Sequence, residues 1–419
     1  YIFADLLARM FATSGYHVRR VINITDVGHL VGDADAGQDK MDLAAKREHK
    51  SPEEIAAHYT KLFLDDLETL SIDTEAISFP RATEYIAEQI AMAKTLEEKG
   101  FAYRLPDGLY FDTSKFARYG ALGNIGHAEL KSVARVTPAA GKRHSSDFAL
   151  WRTAKPGDLQ QWPSPWGSGN PGWHIECSAM IRALLGPTID IHTGGEDHIA
   201  IHHNNEIAQS ECANDRPLAH YWMHAAFLTM EGDRIAKSVG NIVYLSELVE
   251  HGFDPLALRY FFLQAHYRTP LSFSWDALSA AAEALLRLRR VAREFKEESE
   301  GKAVPSPARE RFAIPLRDDL GTPAALGILW ESLKSEEYTP EEKWGLILDA
   351  DHFLGLELAQ DPGEEPEAPA EVKELLARRE AARGVKNFDK ADQLREEIEM
   401  RGYSVEDGAK GPVLTKRPR

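Results

Sequence analysis

Cysteine is scarce in this chain, with Cys177 and Cys212 the two cysteines among 419 residues. So few cysteines exclude a disulfide-stabilised scaffold and indicate a reducing compartment, so we expect a cytoplasmic protein. Apolar runs of membrane-spanning length are also lacking, and we expect no membrane partner. Positive charge is in deficit, since 66 Asp and Glu face 49 Lys and Arg and give a net charge of −17. This balance excludes a globally basic nucleic-acid coat but allows a local basic face.

The chain is too long for one ordinary domain, and its 43% hydrophobic content is enough to form buried cores. We therefore expect about two to four domains. An apolar stripe over residues 1–16 predicts a helix, and the β-branched run at residues 21–25 predicts a strand. A helix that leads into a strand is typical of the middle of a βαβ unit. We therefore expect the first strand of that unit to lie upstream of Tyr1 and to be missing from this chain.

Residues 76–165 have the pattern of an insertion. Residues 82–99 predict a helix with Gly100 as its C-cap, and a hairpin is expected around Pro106-Asp107-Gly108. Residues 156–171, rich in Pro, Gly, Ser and Trp, predict a loop.

The α/β pattern then resumes. Residues 188–192 predict a short buried strand that Gly194 and Gly195 interrupt, and a helix is expected from about residue 202 to residue 213. A strand, a glycine-rich turn and a helix in this order are typical of nucleotide-binding folds. Helical patterns follow to about residue 360, and residues 361–370, with three prolines and four acids, predict a linker before a small tail domain.

Cys177, His202 and Glu206 are the candidate metal ligands. His202 and Glu206 are four residues apart, so on a helix they share a face. Cys, His and Glu together suit zinc, and three protein ligands leave one coordination position open. The alternative is a surface His–Glu pair beside a buried apolar cysteine, and Cys212 is assigned to that second class.

Two further segments suit a nucleotide. In residues 192–197 the glycines allow a ligand close to the backbone, and Asp197 could accept hydrogen bonds from ribose hydroxyls. Residues 234–238 place Lys237 in a loop after a strand, where it could clamp a polyphosphate. The alternatives are a plain turn and a solvated charged loop. Near the C-terminus, residues 378–390 predict a basic helix that either contacts RNA or is simply solvated.

These segments, in this order, resemble the cysteinyl-tRNA synthetases, a family of class I aminoacyl-tRNA synthetases. The segment Pro171-Gly172-Trp173-His174-Ile175-Glu176-Cys177-Ser178-Ala179-Met180 resembles the family's zinc-cysteine segment. The segment His202-His203-Asn204-Asn205-Glu206-Ile207-Ala208-Gln209-Ser210-Glu211 resembles its HHENEIAQSE run. Residues 23–26, 147–151, 221–224 and 378–402 match as well, and residues 234–238 resemble a divergent KMSKS loop.

The resemblance implies an α/β fold with a Rossmann-like class I catalytic core, an inserted connective domain, an α-helical bundle and a small C-terminal domain. The expected parts are the first part of the core at 1–75, the connective insertion at 76–165, the second half of the core at 166–270, a tRNA-binding helical bundle at 271–360, the linker at 361–370 and an anticodon-binding domain at 371–419.

The resemblance also implies one zinc held by two Cys, one His and one Glu. Three of these match Cys177, His202 and Glu206, and we expect the fourth, like the HIGH motif, upstream of Tyr1. A thiolate binds Zn²⁺ far better than a hydroxyl does, so direct coordination would separate cysteine from serine. The roles implied for the other matched residues are a pocket wall for Trp173, contact with the amino acid's backbone groups for Thr25, proximity to zinc for His192, and proximity to the ATP ribose for Gly195 and Asp197. Lys237 is implied to be the catalytic residue, in contact with the ATP phosphates, and ATP is expected to carry Mg²⁺.

The implied activity is activation of L-cysteine with ATP and its transfer to tRNA-Cys, by a monomer. One alternative is the cysteine:glucosaminyl-inositol ligase of mycothiol synthesis, which shares the core. Another is a non-catalytic paralogue, suggested by the divergent loop around Lys237. A zinc hydrolase would need a second His ligand, and His203 is expected to point elsewhere. Asn204 replaces an acid of the family's run that is not a zinc ligand.

Overall fold

The computed structural model describes residues 1–28, 40–125, 141–230, 233–234, 242–360, 368–408 and 411–416. The helices are α1 Ile2–Thr13, α2 Lys40–Glu48, α3 Pro52–Thr69, α4 Ile86–Glu98, α5 Trp173–Leu184, α6 Asn204–Asn214, α7 Leu245–Glu250, α8 Pro255–Leu263, α9 Trp275–Glu298, α10 Arg309–Arg317, α11 Thr322–Lys334, α12 Pro340–Leu354, α13 Ala370–Gly384 and α14 Phe388–Met400. The strands are β1 Arg20–Val21, β2 Ile77–Ser78, β3 Ala102–Leu105, β4 Gly108–Phe111, β5 Phe148–Thr153, β6 Gly169–Pro171, β7 Ile189–Gly195, β8 Ala219–Ala225, β9 Leu228–Met230, β10 Asp233–Arg234, β11 Leu271–Phe273, β12 Tyr403–Gly408 and β13 Gly411–Lys416.

These elements form two compact units. The site unit comprises residues 18–68 and 73–227, and the bundle unit comprises residues 1–17, 69–72 and 228–419. Among the described residues, no helix combines the length and the apolar character that a membrane crossing requires.

The site unit contains two parallel strand pairs whose connections include helices. β1 pairs with β2, and β7 pairs with β8. The helix α6 lies between β7 and β8 in the chain, which gives the crossover that parallel neighbours need. This strand–helix–strand unit is the nucleotide-fold pattern that the sequence predicts.

An antiparallel sheet with the order β3–β4–β5–β6 completes the site unit. Its first hairpin turns at Pro106-Asp107 as predicted, with Leu105 opposite Gly108. The predicted helix at 82–99 is also found, as a 3₁₀ turn followed by α4, and Gly100 has the positive φ of +80° expected at a helix end. One apolar core joins this sheet to α4, α5 and α6, and its members include Met92, Leu96, Leu109, Phe111, Leu150, Trp151, Ile175, Ala208 and Cys212.

The structure corrects three strand predictions. The predicted strand at 21–25 pairs only over β1, and Ile24 adds an isolated bridge to Arg81. The predicted loop at 156–171 ends in β6, because Gly169–Pro171 pairs with β5. The predicted buried strand at 188–192 is half-buried and continues through Gly194 and Gly195, both of which pair with β8.

The bundle unit consists mainly of α8 to α12 with the tail elements α13, α14, β12 and β13. Local sequence fixes several helix starts. Asp254 accepts a hydrogen bond from the Leu256 amide, Ser274 from the Ala277 amide, and Thr339 forms a capping box with Glu342. The tail has its own apolar core, which joins the two helices to the β12–β13 hairpin.

Arg259 of α8 is the fully buried cation of the bundle unit, with a side chain 0% exposed. Its guanidinium donates to the Asp5 carboxylate at 2.7 Å, to the Leu354 carbonyl at 2.6 Å and to the Leu70 carbonyl at 2.9 Å. Burial alone would raise the pKa of Asp5, but Arg259 and Arg9 hold it below its usual value. This network joins α1, α8 and the ends of α3 and α12.

The Arg259→Met variant should lose about 3–5 kcal/mol of unfolding free energy. Two buried carbonyls would lose their donor, and the buried Asp5 carboxylate would keep only Arg9 of its two cationic partners. Urea unfolding followed by circular dichroism measures this loss. The matched control is Arg268→Met, since Arg268 is 62% exposed and its ion pair with Asp319 should contribute about 1 kcal/mol or less. Equal losses in the two variants would contradict the role assigned to Arg259.

Candidate functional site

The candidate site lies where β7 passes into α6. The strand ends at Gly195, a single π turn covers Ile199–His203, and α6 begins at Asn204. The predicted helix from residue 202 is therefore correct apart from its first residues, which belong to the π turn. Single π turns of this kind are common at functional sites.

The structure brings the three candidate metal ligands together. The Cys177 sulfur, a His202 ring nitrogen and a Glu206 carboxylate oxygen all lie within 4.8 Å of one another. The distance from His202 Nε2 to Glu206 Oε1 is 3.6 Å. Glu206 is 0% exposed, His202 is buried and Cys177, on α5, is half-buried. Because the set joins α5 to the start of α6, it depends on the packing of those two helices.

Glu206 also belongs to a second group of donors, formed with His192 and His203. His192 Nε2 lies 2.9 Å from Glu206 Oε2, and His203 Nε2 lies 3.9 Å from the same oxygen. The expectation that His203 points elsewhere is therefore wrong, because His203 lies three residues before Glu206 and residues three apart share a helix face. His192 contacts the Glu206 carboxylate, and its proximity to a bound zinc stays a prediction.

Hydrogen bonds between histidines orient the rings. His174 Nδ1 lies 2.9 Å from His202 Nδ1, and His203 Nδ1 lies 2.8 Å from His224 Nε2. With Nδ1 engaged in this way, the Nε2 atoms of both His202 and His203 face Glu206. Such outer partners fix the tautomer and the ring orientation of a metal-binding histidine.

Aromatic residues line the same cluster. The Trp173 ring lies 4.8 Å from that of His202, and the Trp222 ring lies 4.8 Å from that of His192. His174, Trp222 and His224 lie in segments that resemble the family's motifs, but the resemblance implies no role for them. Membership of these motifs was the only hint in the sequence that these residues belong to the site. Local sequence patterns do not show that separate helices and strands come together in space.

Close backbone approach explains the two glycines at the end of β7. A Cβ added at Gly194 would collide with the His203 ring, and one added at Gly195 would collide with the Asp197 carboxylate. A larger residue at either position would therefore displace a side chain of the candidate site.

The electrostatics favour a bound cation. Burial alone would raise the pKa of Glu206, but the imidazoles of His192 and His202 hold it well below its usual range. Burial lowers the pKa of His203 to about 2, so this ring is a neutral nitrogen donor. Burial and the carboxylates of Glu206 and Glu176 raise the pKa of Cys177. Glu206 Oε1 is buried without a hydrogen-bond partner among the described residues, and a metal ion would satisfy it.

Of the other predicted site residues, Gly195 and Asp197 lie between His192 and His202 in the chain, whereas Thr25 lies far from them in sequence. Thr25 is exposed, follows Ile24, and its hydroxyl accepts a hydrogen bond from Asn23 at 3.1 Å. Asp197 lies in the turn between β7 and the π turn. Lys237 lies outside the described residues, and so does most of the loop that resembles KMSKS.

Comparisons with known proteins cover nearly the whole chain. A family model described as tRNA synthetases class I (C) catalytic domain matches residues 1–283, and one described as cysteinyl-tRNA ligase anticodon binding domain matches residues 365–411. Cysteine--tRNA ligase 1 of Burkholderia lata is 45% identical over 99% of this chain and 87% of the relative. The cysteine--tRNA ligase of Thermus thermophilus is 39% identical over 97% and 89%.

Solved structures agree on the fold. A methionyl-tRNA synthetase of Mycobacterium tuberculosis in complex with methionyl-adenylate has a TM-score of 0.57 at 18% identity and covers 85% of each chain. A second structure of that synthetase, bound by methionyl-adenylate, has a TM-score of 0.55 at 17% identity over 85% of this chain and 86% of the other. These likenesses confirm the predicted fold class, a class I core with added helical parts. From the family models, the identities and the fold together, the chain belongs to the cysteinyl-tRNA ligase family of class I aminoacyl-tRNA synthetases.

Proposed function

We propose that this chain is a cysteine--tRNA ligase, which activates L-cysteine with ATP and transfers the cysteinyl group to tRNA-Cys. The observation that carries the proposal is the convergence of Cys177, His202 and Glu206 in a chain of this family. A sulfur, an imidazole nitrogen and a carboxylate oxygen, from residues that are all at least half-buried, form a donor set that suits a metal ion.

The proposed metal is zinc, because a thiolate, an imidazole and a carboxylate form a mixed donor set that zinc accepts readily. Cys177, His202 and Glu206 would hold it. When bound, it would stabilise the thiolate of the substrate and so favour cysteine over serine. The buried Oε1 of Glu206, which has no hydrogen-bond partner among the described residues, fits a site that contains a cation.

The chain's own residues supply the remaining parts. His174 and His224 hold the rings of His202 and His203, and Trp173 closes one side of the donor set. Gly195 and Asp197 are proposed to receive the ATP ribose, and Thr25 the backbone groups of the amino acid, as their family positions suggest. Lys237 is proposed to contact the ATP phosphates, where a positive charge stabilises the departing pyrophosphate.

The reaction proceeds in two transfers. The cysteine carboxylate attacks the α-phosphate of ATP, and the bond to pyrophosphate breaks. A ribose hydroxyl at the 3′ end of tRNA then attacks the activated carbonyl, and AMP leaves. ATP would carry Mg²⁺, and the protein is proposed to act in the cytoplasm as a monomer.

The main competing acceptor is the amine of glucosaminyl-inositol. The match to the anticodon binding domain over residues 365–411 favours tRNA instead, since an amino sugar has no use for such a domain. The described tail is compact and has its own core, which supports its action as a separate binding module.

Cys177→Ser should lower bound zinc and cysteine activation together by at least about tenfold, because a hydroxyl replaces the thiolate ligand. Zinc content is measured by mass spectrometry, and activation by cysteine-dependent pyrophosphate exchange on a chain that also carries the residues expected before Tyr1. Cys212→Ser is the matched control, since Cys212 lies in the apolar core away from the donor set. Loss of zinc with full activation would refute the coordination mechanism.

Acceptor choice separates the candidate functions. With cysteine and ATP, we expect transfer to tRNA-Cys and none to glucosaminyl-inositol, and serine should not be transferred. Acid gels resolve charged tRNA, and mass spectrometry detects the amino-sugar product. Transfer to the amino sugar alone would identify the ligase of mycothiol synthesis, and transfer to neither would support the non-catalytic paralogue.

A further inference from the structure

A short segment of the chain lies along α6, on the helix that carries Glu206. This docking segment, residues 118–123, contacts α6 at three points. Arg118 lies 3.2 Å from the Glu211 carboxylate, and the Tyr119 hydroxyl donates to Asn205 Oδ1 at 2.6 Å. The third contact is to Asn204, at the first position of the helix.

Asn204 joins the docking segment to the π turn. Its side-chain nitrogen donates to the Leu122 carbonyl at 3.2 Å and to the Ile199 carbonyl at 2.6 Å. Asn204 is 1% exposed, so neither carbonyl exchanges this partner freely for water. One amide group therefore ties the first residue of the π turn to a loop that comes from elsewhere in the chain.

Packing supports the same connection. Gly123 has a φ of +78°, and a Cβ added there would collide with the Ile199 side chain, so the loop backbone lies directly against the π turn. Leu122 packs against an apolar cluster that includes Ile207 of α6. The Tyr119 ring stacks on Phe148, whose ring lies edge-on to His174, the partner of His202.

The connection requires an amide at position 204. An amide nitrogen has two donors, and both carbonyls here are acceptors, whereas a carboxylate can only accept. The acid that the family's run has at this position could not make either bond.

We propose that Asn204 is a positioning residue that fixes the π turn against the docking segment and thereby sets the angle between His202 and Glu206. His202 is the second-last residue of the π turn, and Glu206 is in the first turn of α6, so the junction at Asn204 decides their separation. This inference rests on the proposed metal role of His202 and Glu206.

The test is metal binding by Asn204→Asp, which keeps the size of the side chain and removes both donors. Co²⁺ is the probe, because a thiolate–cobalt absorption band reports ligation by Cys177. We expect the variant to bind Co²⁺ about tenfold more weakly than the wild type, as is typical when an outer partner of a ligand is lost. The Asn204→Ser variant retains one donor, so its Co²⁺ affinity should lie between those of the wild type and Asn204→Asp. It replaces the Asp variant in the test if that variant does not fold.

Two controls separate positioning from general destabilisation. Asn214→Asp makes the same chemical change at the other end of α6, and Ala208→Gly weakens the same helix while both donors of Asn204 remain. Both should bind Co²⁺ within about twofold of the wild type. Equal weakening in Ala208→Gly, or unchanged binding in Asn204→Asp, would overturn the proposal.

Hydrogen exchange distinguishes failure of this inference from failure of the proposed function. In Asn204→Asp, amide exchange should accelerate together in residues 118–123 and 199–206. If the wild type shows no thiolate–cobalt band, the proposed metal site fails, and joint acceleration would still support the link. If exchange in the two segments does not change together, the link itself is refuted.

Discussion

A buried carboxylate is the constraint on which the site unit depends. Glu206 is 0% exposed, and a charge in that position is costly unless it is compensated from all sides. The compensation comes from α5, from β7 and from the π turn, which supply Cys177, His192, His202 and His203. The helix packing, the glycines at the end of β7 and the histidine pairs all serve to bring these groups around one carboxylate.

Pairs of histidines orient the imidazole rings at this site, a role that carboxylates or backbone carbonyls have in most metal-binding proteins. His174 and His224 each hold another imidazole by a ring-to-ring hydrogen bond. An imidazole partner orients the ring without adding negative charge beside Glu206. The site can therefore stay polar and ordered while its net charge remains low enough for one cation to balance.

The sequence was sufficient for the local features and for the motif residues. Helix α4 and the hairpin at Pro106-Asp107 follow from periodicity and turn chemistry, and the grouping of Cys177 with His202 and Glu206 follows from the family resemblance. It was not sufficient for the π turn, because one extra residue in a turn leaves no mark on an apolar pattern. The expectation for His203 was wrong for another reason, because His203 lies three residues before Glu206 and residues three apart share a helix face. Contacts such as that of Arg259 with Asp5 also escape local reasoning, since the two residues are far apart in the chain.

The Arg259 network has a consequence for the order in which the chain acquires structure. Its partners are Asp5, Leu70 and Leu354, so α1 completes its contacts only after the end of α12 has been synthesised. Nearly all of the site unit, in contrast, lies between residues 18 and 227 and has every partner available much earlier. On a ribosome the site unit can therefore fold first, while the apolar face of α1 stays exposed until the last part of the bundle has been synthesised. That interval, set by loop closure over more than half of the chain, is the period in which this protein is most exposed to aggregation and to chaperones.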